Sequence, residues 1–221
     1  MASVRQVAKC IGVDKADLSV VRDLFGFLEG VPGQVSLLTQ ITRLQGDHVH
    51  LNLIRVGSDQ FTAGDRAEID AALQSTRDTY AQVNLGIGRI EHYAISTGEA
   101  DGAENIDNDD EAEDLTNDWT VPNDALDIFV VLTYAGTRAG LSRVEGPCDK
   151  DAKGMDGSVV AIESTVGNTG QILAHEAAHY LGLEHVDNSN NLMFDSVPNG
   201  GDLTSGQGVD MRDHCFVDPG C

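Results

Sequence analysis

The chain turns on one stretch, HEAAHYLGLEH, at positions 175–185. Histidines four apart on a helix project from one face, so His175 and His179 can reach a single metal ion through neutral imidazole nitrogens. Glu176 lies one residue round from the first of them, within reach of a water beside such an ion without being a ligand. Gly182 follows because the chain must leave the helix in a left-handed conformation, which glycine adopts without a Cβ clash, and turn back to bring in His185. Three histidines and an open fourth position describe a catalytic zinc site.

A methionine, Met193, stands eight residues beyond His185 in the run Asn191-Leu192-Met193-Phe194. The pattern H-E-x-x-H-x-x-G-x-x-H with a later methionine resembles the metzincin metallopeptidases at every motif position. The resemblance implies a zinc-dependent endopeptidase, with His175, His179 and His185 as ligands, Glu176 as general base and Met193 as an apolar floor beneath the imidazoles. Zinc in such a site lowers the pKa of its water toward about 7 and polarises the peptide carbonyl. The implied fold is α/β (α+β): a twisted, mostly parallel five-stranded sheet with an antiparallel edge strand, a backing helix, the zinc-site helix and a small C-terminal subdomain. Astacins and serralysins carry a tyrosine two residues after the methionine that assists the transition state. Here that position is Asp195, which places the chain nearer the matrixin or pappalysin type. Two rival readings share the motif. One is a zinc-containing protein that grips an extended segment without cutting it, against which Glu176 argues; the other is a latent proenzyme whose first 46 residues occupy the cleft.

At 221 residues, 41% of them hydrophobic, the chain has material for one large domain, or a domain with an added segment, around a buried core. Its 36 acidic and 14 basic residues give a net charge of −22, which argues against nucleic acid or an anionic membrane as partner. A solvated acidic surface accounts for that charge more simply than calcium sites, which remain the alternative. No apolar run is long enough to span a membrane. The N-terminus has no basic region followed by an apolar stretch, so the sequence either starts after processing or stays inside. Cys10, Cys148, Cys215 and Cys221 allow up to two disulfides of unreadable pairing. They favour oxidising surroundings, and a secreted, monomeric protein acting on protein or peptide is the expectation.

In chain order, residues 1–46 form an N-terminal segment and 47–221 a catalytic domain, divided at Gly182 into upper and lower parts. The segment holds one helical pattern, with Asp17 as cap and Leu18, Val21, Leu24, Phe25 and Leu28 at helical spacing, followed by an ambiguous run at 35–44. Cys10 invites comparison with an inhibitory cysteine but lacks the flanking residues of the matrixin switch. HVHLNLIRV reads as the first core strand, with His48 and His50 on one exposed face and no third ligand beside them. Asp65 and Glu68 have capping-box spacing before an amphipathic helix, and LGIGRIEHYAIS is a second, parallel strand in which His92 is partly buried. Residues 98–119 break every apolar period and read as a solvated, acidic insertion.

The most apolar run, 126–136, should be a central strand. By the resemblance, the antiparallel edge strand falls at Gly140, Leu141, Ser142, Arg143 and Val144, where an extended peptide could add as a further strand and present a carbonyl to the metal. A last strand follows within 157–164. Asp149, Asp151 and Asp156 are possible calcium donors, weakened by Lys153 at the fifth position. After the zinc helix, the turn-rich loop at 196–201 would help form the pocket for the side chain beyond the cut bond, through Val197, Pro198 and Asn199. A final helix at 203–212 is weakened by Gly206 and Gly208.

Overall fold

The run HVHLNLIRV is strand β1, His48–Val56, in a computed structural model that describes residues 46–150, 154–162, 167–196, 198 and 200–219. The expectations for residues 1–45, including Cys10 and the Asp17-capped helix, lie outside the described residues, as do Asp151, Lys153, Val197, Asn199 and Cys221. Alternation along β1 sends Val49, Leu51 and Leu53 to one face and Ile54 and Val56 to the other, and all five are buried. Both faces are covered, as a mostly parallel sheet requires.

Helix α1, Ala63–Ala81, buries a stripe of Ile69, Ala72, Leu73, Thr76 and Tyr80. Its capping box is Thr62 with Asp65 rather than Asp65 with Glu68. Starting one turn earlier adds intrahelical bonds and still leaves Asp65 to reach back to the cap. Strand β2, Gly86–Ile95, returns parallel to β1. As the outer strand it leaves His92 exposed, not partly buried as expected.

The acidic segment is folded. It forms α2, Thr97–Ala100, β3, Asn105–Ile106, and α3, Asp109–Trp119. Four of its carboxylates occupy helix starts, where backbone N–H groups and the helix dipole favour them. Glu99 accepts from the Ser96 N–H and hydroxyl, Glu111 accepts from the Asp107 N–H, and Asp109, Asp110 and Glu111 fill the first turn of α3. The few apolar residues, among them Ala100, Ile106, Ala112 and Leu115, pack against Ile54, Val56, Phe129 and Val131. They are too sparse to give a period in sequence, yet they cover one face of the sheet.

Strand β4, Leu126–Val131, is buried throughout and central, as expected. The apolar run does not continue as one strand. Leu132 donates to the Glu104 carbonyl at 2.8 Å, and β5, Thr133–Tyr134, pairs with β3 in a separate parallel ribbon. Then come β6, Gly140–Leu141, and β7, Ser158–Ala161. The sheet order is β2-β1-β4-β7-β6, parallel except for β6 at the edge. Helix α4, Asn168–Tyr180, lies beside α1 on the other face. Gly170 lets them approach closely, since a Cβ there would meet Ser75 Cβ at 2.9 Å. The Tyr80 hydroxyl donates to the Ala174 carbonyl at 2.8 Å.

Helix α5, Ser205–Arg212, forms despite its glycines because Thr204 and Gln207 make a capping box and Gly208 packs directly on Val83. The two-residue strand β8, Val217–Asp218, adds antiparallel to the start of β1. Cys215 is bonded to Cys148, which ties this end to the segment after β6. Nearby, the buried Asp127 accepts from Asn52 Nδ2, the Thr120 hydroxyl and the Val121 N–H, and pairs with Lys150 Nζ at 2.8 Å. Desolvation lowers the Lys150 pKa, while the charges of Asp127 and Asp156 raise it. The loop considered for calcium thus meets these carboxylates with its own ammonium group.

Candidate metal centre and cleft

Gly182 has φ +104°, and the chain end of α4 closes on it as a Schellman turn: the Leu183 N–H donates to the Ala178 carbonyl at 3.0 Å and the Gly182 N–H to the His179 carbonyl at 2.9 Å. This return brings the Leu183 carbonyl to within 2.6 Å of His179 Nδ1. Nine residues on, the Leu192 carbonyl stands 2.7 Å from His175 Nδ1. A carbonyl can only accept, so both rings carry their proton on Nδ1 and turn the Nε2 lone pair to the other side.

The Nε2 atom of His185 lies 3.1 Å from Nε2 of His175 and 3.1 Å from Nε2 of His179. Nitrogens bound to one tetrahedral zinc at 2.0–2.1 Å stand ~3.3–3.4 Å apart, so the three rings fit that ion with little adjustment. Burial, followed by the charge of His175, lowers His179 to about 4, and burial lowers His175 as well. Both shifts favour the neutral ring, the form that can ligate.

The triad opens into a cleft of about 760 Å³. Its walls come from Thr137 to Ser142 with Val144 on the edge-strand side and from Glu184, His185, Asp195 and Ser196 after the helix. Of the five edge-strand residues expected to meet substrate, Gly140, Leu141, Ser142 and Val144 line the cleft. Arg143 turns instead toward Gly154, where a Cβ would meet its Nη1 at 2.8 Å. Pro198 is exposed and does not line the cleft; Asp195 and Ser196 form that wall.

Glu176 faces the cleft from α4 and is 8% exposed. A Cβ on Gly140 would meet its Cγ at 2.7 Å and its Oε1 at 2.9 Å, so the edge strand fits the carboxylate only because residue 140 is glycine. Burial raises the Glu176 carboxyl to about 8, and the charge of Arg138 acts the other way.

Sequence reading missed the groups that support this centre. Asn191 Oδ1 accepts from the Met193 N–H at 2.9 Å, and the amides of Asn191 and Gln207 bond in both directions. They fix the turn that offers the Leu192 carbonyl to His175. An Asn just before the Leu-Met pair was the one local signal; its partner sixteen residues on gave none.

His48 and His50, expected to be exposed without a third ligand, are each 2% exposed, and Asp218 of β8 completes a group of three donors. The β1–β2 register shifts between Val49 and Leu51, and His50 Nδ1 accepts the Arg89 N–H at 2.9 Å. That bond leaves the His50 proton on Nε2, 3.5 Å from Asp218 Oδ2, so this ring is committed to hydrogen bonding rather than ligation.

No curated protein sequence is significantly similar to the chain. The fold is similar to metalloproteinase-II from Bacteroides fragilis, at 16% identity and a TM-score of 0.54, over 78% of this chain and 54% of that one. It is also similar to a chain in the structure of a chaperone-substrate complex, at 11% identity and a TM-score of 0.54, over 78% of this chain and 35% of the other. The chain thus spans about half of the first and a third of the second, and at these identities the likeness is one of fold. The profile described as Metallo-peptidase family M12B Reprolysin-like matches residues 66–186, from the backing helix through the third histidine. That span exceeds half of the sequence, so the metzincin resemblance resolves to the reprolysin-like type, and the chain belongs to the Metallo-peptidase family M12B, Reprolysin-like.

Proposed function

We propose that this protein is a zinc-dependent endopeptidase that hydrolyses peptide bonds in protein or peptide substrates. The observation that carries the reading is the convergence of three Nε2 lone pairs beside the Glu176 carboxylate at the floor of an open cleft. His175, His179 and His185 would hold the ion, and Met193, fully buried, lies in the turn whose Leu192 carbonyl orients His175. Zinc, when bound, would supply Lewis acidity, polarising a carbonyl and making water acidic enough to attack near neutral pH. Burial alone holds the Glu176 carboxyl up at about 8, and the positive charge of an ion beside it would favour the carboxylate, which would take the proton of the attacking water and pass it to the leaving amine nitrogen. No serine or cysteine nucleophile takes part. The exposed backbone of β6 receives the substrate as an added strand, which orients the scissile bond along the cleft. With Asp195 in place of a tyrosine, that strand pairing and Glu176 are the chain's own aids to the reaction.

The Cys148–Cys215 disulfide supports action outside reducing compartments. A non-cleaving peptide binder has less support, since a metal kept only to shape a groove needs no buried carboxylate beside it. Digestion of a peptide library, with metal analysis of the same sample, tests the assignment. Cleavage should vanish with a chelator and return with zinc; cleavage indifferent to zinc would refute it. The same digestion by a chain lacking residues 1–46 separates latency from pure binding.

A further inference from the structure

Among the described residues lining the cleft, Arg138 is the single lysine or arginine, in a chain with 36 acidic and only 14 basic residues. It enters just before the edge strand, where the Ala161 N–H fixes the Ala139 carbonyl at 2.8 Å, so the backbone that carries the arginine is anchored to the sheet. Arg138 Nη2 lies 3.4 Å from Asp109 Oδ2, and the other oxygen of that carboxylate accepts the Tyr134 hydroxyl at 2.9 Å. Asp109 is also the first residue of α3, whose dipole favours a carboxylate there. The acidic segment therefore does more than cover the sheet: it parks one guanidinium at the mouth of the cleft.

We propose that Arg138 is the specificity-determining residue of this cleft and binds a carboxylate of the substrate, with Asp109 and Tyr134 as the residues that position it. This rests on the peptidase reading above. The contact with Asp109 is single, long and about half exposed, so it steers the side chain without consuming it. The planar guanidinium has further N–H donors, in the fork geometry that takes a carboxylate by two parallel bonds. Charge elsewhere in the cleft sharpens the choice. Glu184 and Asp195 stand on the opposite wall, and both are exposed, so a carboxylate placed there is repelled. Apart from the ion itself, an anionic group thus has one favourable place among the side chains of the cleft, beside Arg138, and that fixes both its position along the peptide and the direction in which the peptide lies.

The carboxylate can come from an internal Asp or Glu side chain or from a free C-terminus. Matched peptides that exchange Asp for Asn at each position around the cut bond, each with a free and an amidated C-terminus, separate these sources. The zinc-loaded full chain should prefer the carboxylate over the amide at one position by about tenfold in kcat/KM, as expected for a charge-assisted contact. Arg138→Gln should bring that ratio near one, Arg138→Lys should restore part of it, and Asp109→Asn should weaken it through KM rather than kcat. Because each ratio compares two peptides on one protein, altered folding does not mimic the result. The same ratios read as Kd on a Glu176→Gln chain need no hydrolysis, so selectivity can fail or hold whether or not cleavage occurs. A ratio near one in the unaltered protein, or one unchanged by Arg138→Gln, overturns the proposal.

Discussion

The side chains of Asn191 and Gln207 bond to each other through both halves of their amides, at 2.9 and 3.0 Å, in a partly buried contact between the turn before Met193 and the start of α5. Removing either one releases the Leu192 carbonyl from its fixed aim at His175. Asn191→Ala and Gln207→Ala should each weaken zinc binding by about 10- to 100-fold, as changes in outer-shell partners do. The double variant should cost little more than either single one, because they act as a unit. Competition against a chromophoric chelator measures this, and unchanged affinity in both would show that the turn is held by other means.

Gly140 and Glu176 are a second pair in which a backbone position governs a functional side chain. A methyl group at 140 overlaps the Glu176 carboxylate and the Val159 carbonyl. Gly140→Ala should leave zinc content intact while lowering kcat/KM by about 100-fold, the effect of roughly 1 Å of misplacement. Wild-type activity in this variant would mean that Glu176 has room the packing does not suggest.

The buried histidines set the pH response of the fold. Desolvation is the largest cause that lowers His50 and His214, and also His175 and His179. Each folded pKa lies below the ordinary 6.5, so between the two values the unfolded chain binds more protons. Their neutral, buried state is fully favourable above about pH 6.5 and loses ground as pH falls through that window. Glu176, raised to about 8, acts in the opposite direction over the same range. The histidine contribution is therefore read by difference: in chelator-treated protein, the melting temperature of the unaltered chain relative to that of His214→Gln should fall as pH drops below about 6.5. A difference that stays level or rises on acidification would contradict this.

Cleaving the Cys148–Cys215 bond frees a span of 67 residues. Chain entropy assigns such a link about 4 kcal/mol, and Cys148→Ser with Cys215→Ser should lower the unfolding free energy by roughly that amount. Urea titration reads it. Unaltered stability would mean that β8 and the edge-strand segment are held together by packing alone.

How much of this was legible in the sequence depends on range. The histidines, Glu176 and Gly182 declare themselves within one helix and its exit turn, because ligand geometry and left-handed backbone act locally. The places of β1, β4 and β7 along the chain follow from apolar-rich runs, since strands covered on both faces are mostly apolar. Helix α3 escaped notice because Ala112 and Leu115 are too few to mark a period among its mostly exposed carboxylates, three of which fill its first turn. His48 and His50 looked exposed because the two-residue strand that brings Asp218 carries no pattern of its own. Pairings such as Asn191 with Gln207, Arg138 with Asp109, and Cys148 with Cys215 join distant segments, and no local spacing encodes them.

The most direct test of the account is one variant assayed in two ways. Glu176→Gln keeps the shape of the side chain and all three histidines but cannot accept a proton. Zinc analysis of the purified variant should give the same metal content as the unaltered protein, while peptide hydrolysis falls to almost nothing. Hydrolysis that persists with zinc bound would contradict the assignment of Glu176 as the base, and with it the central claim about this cleft.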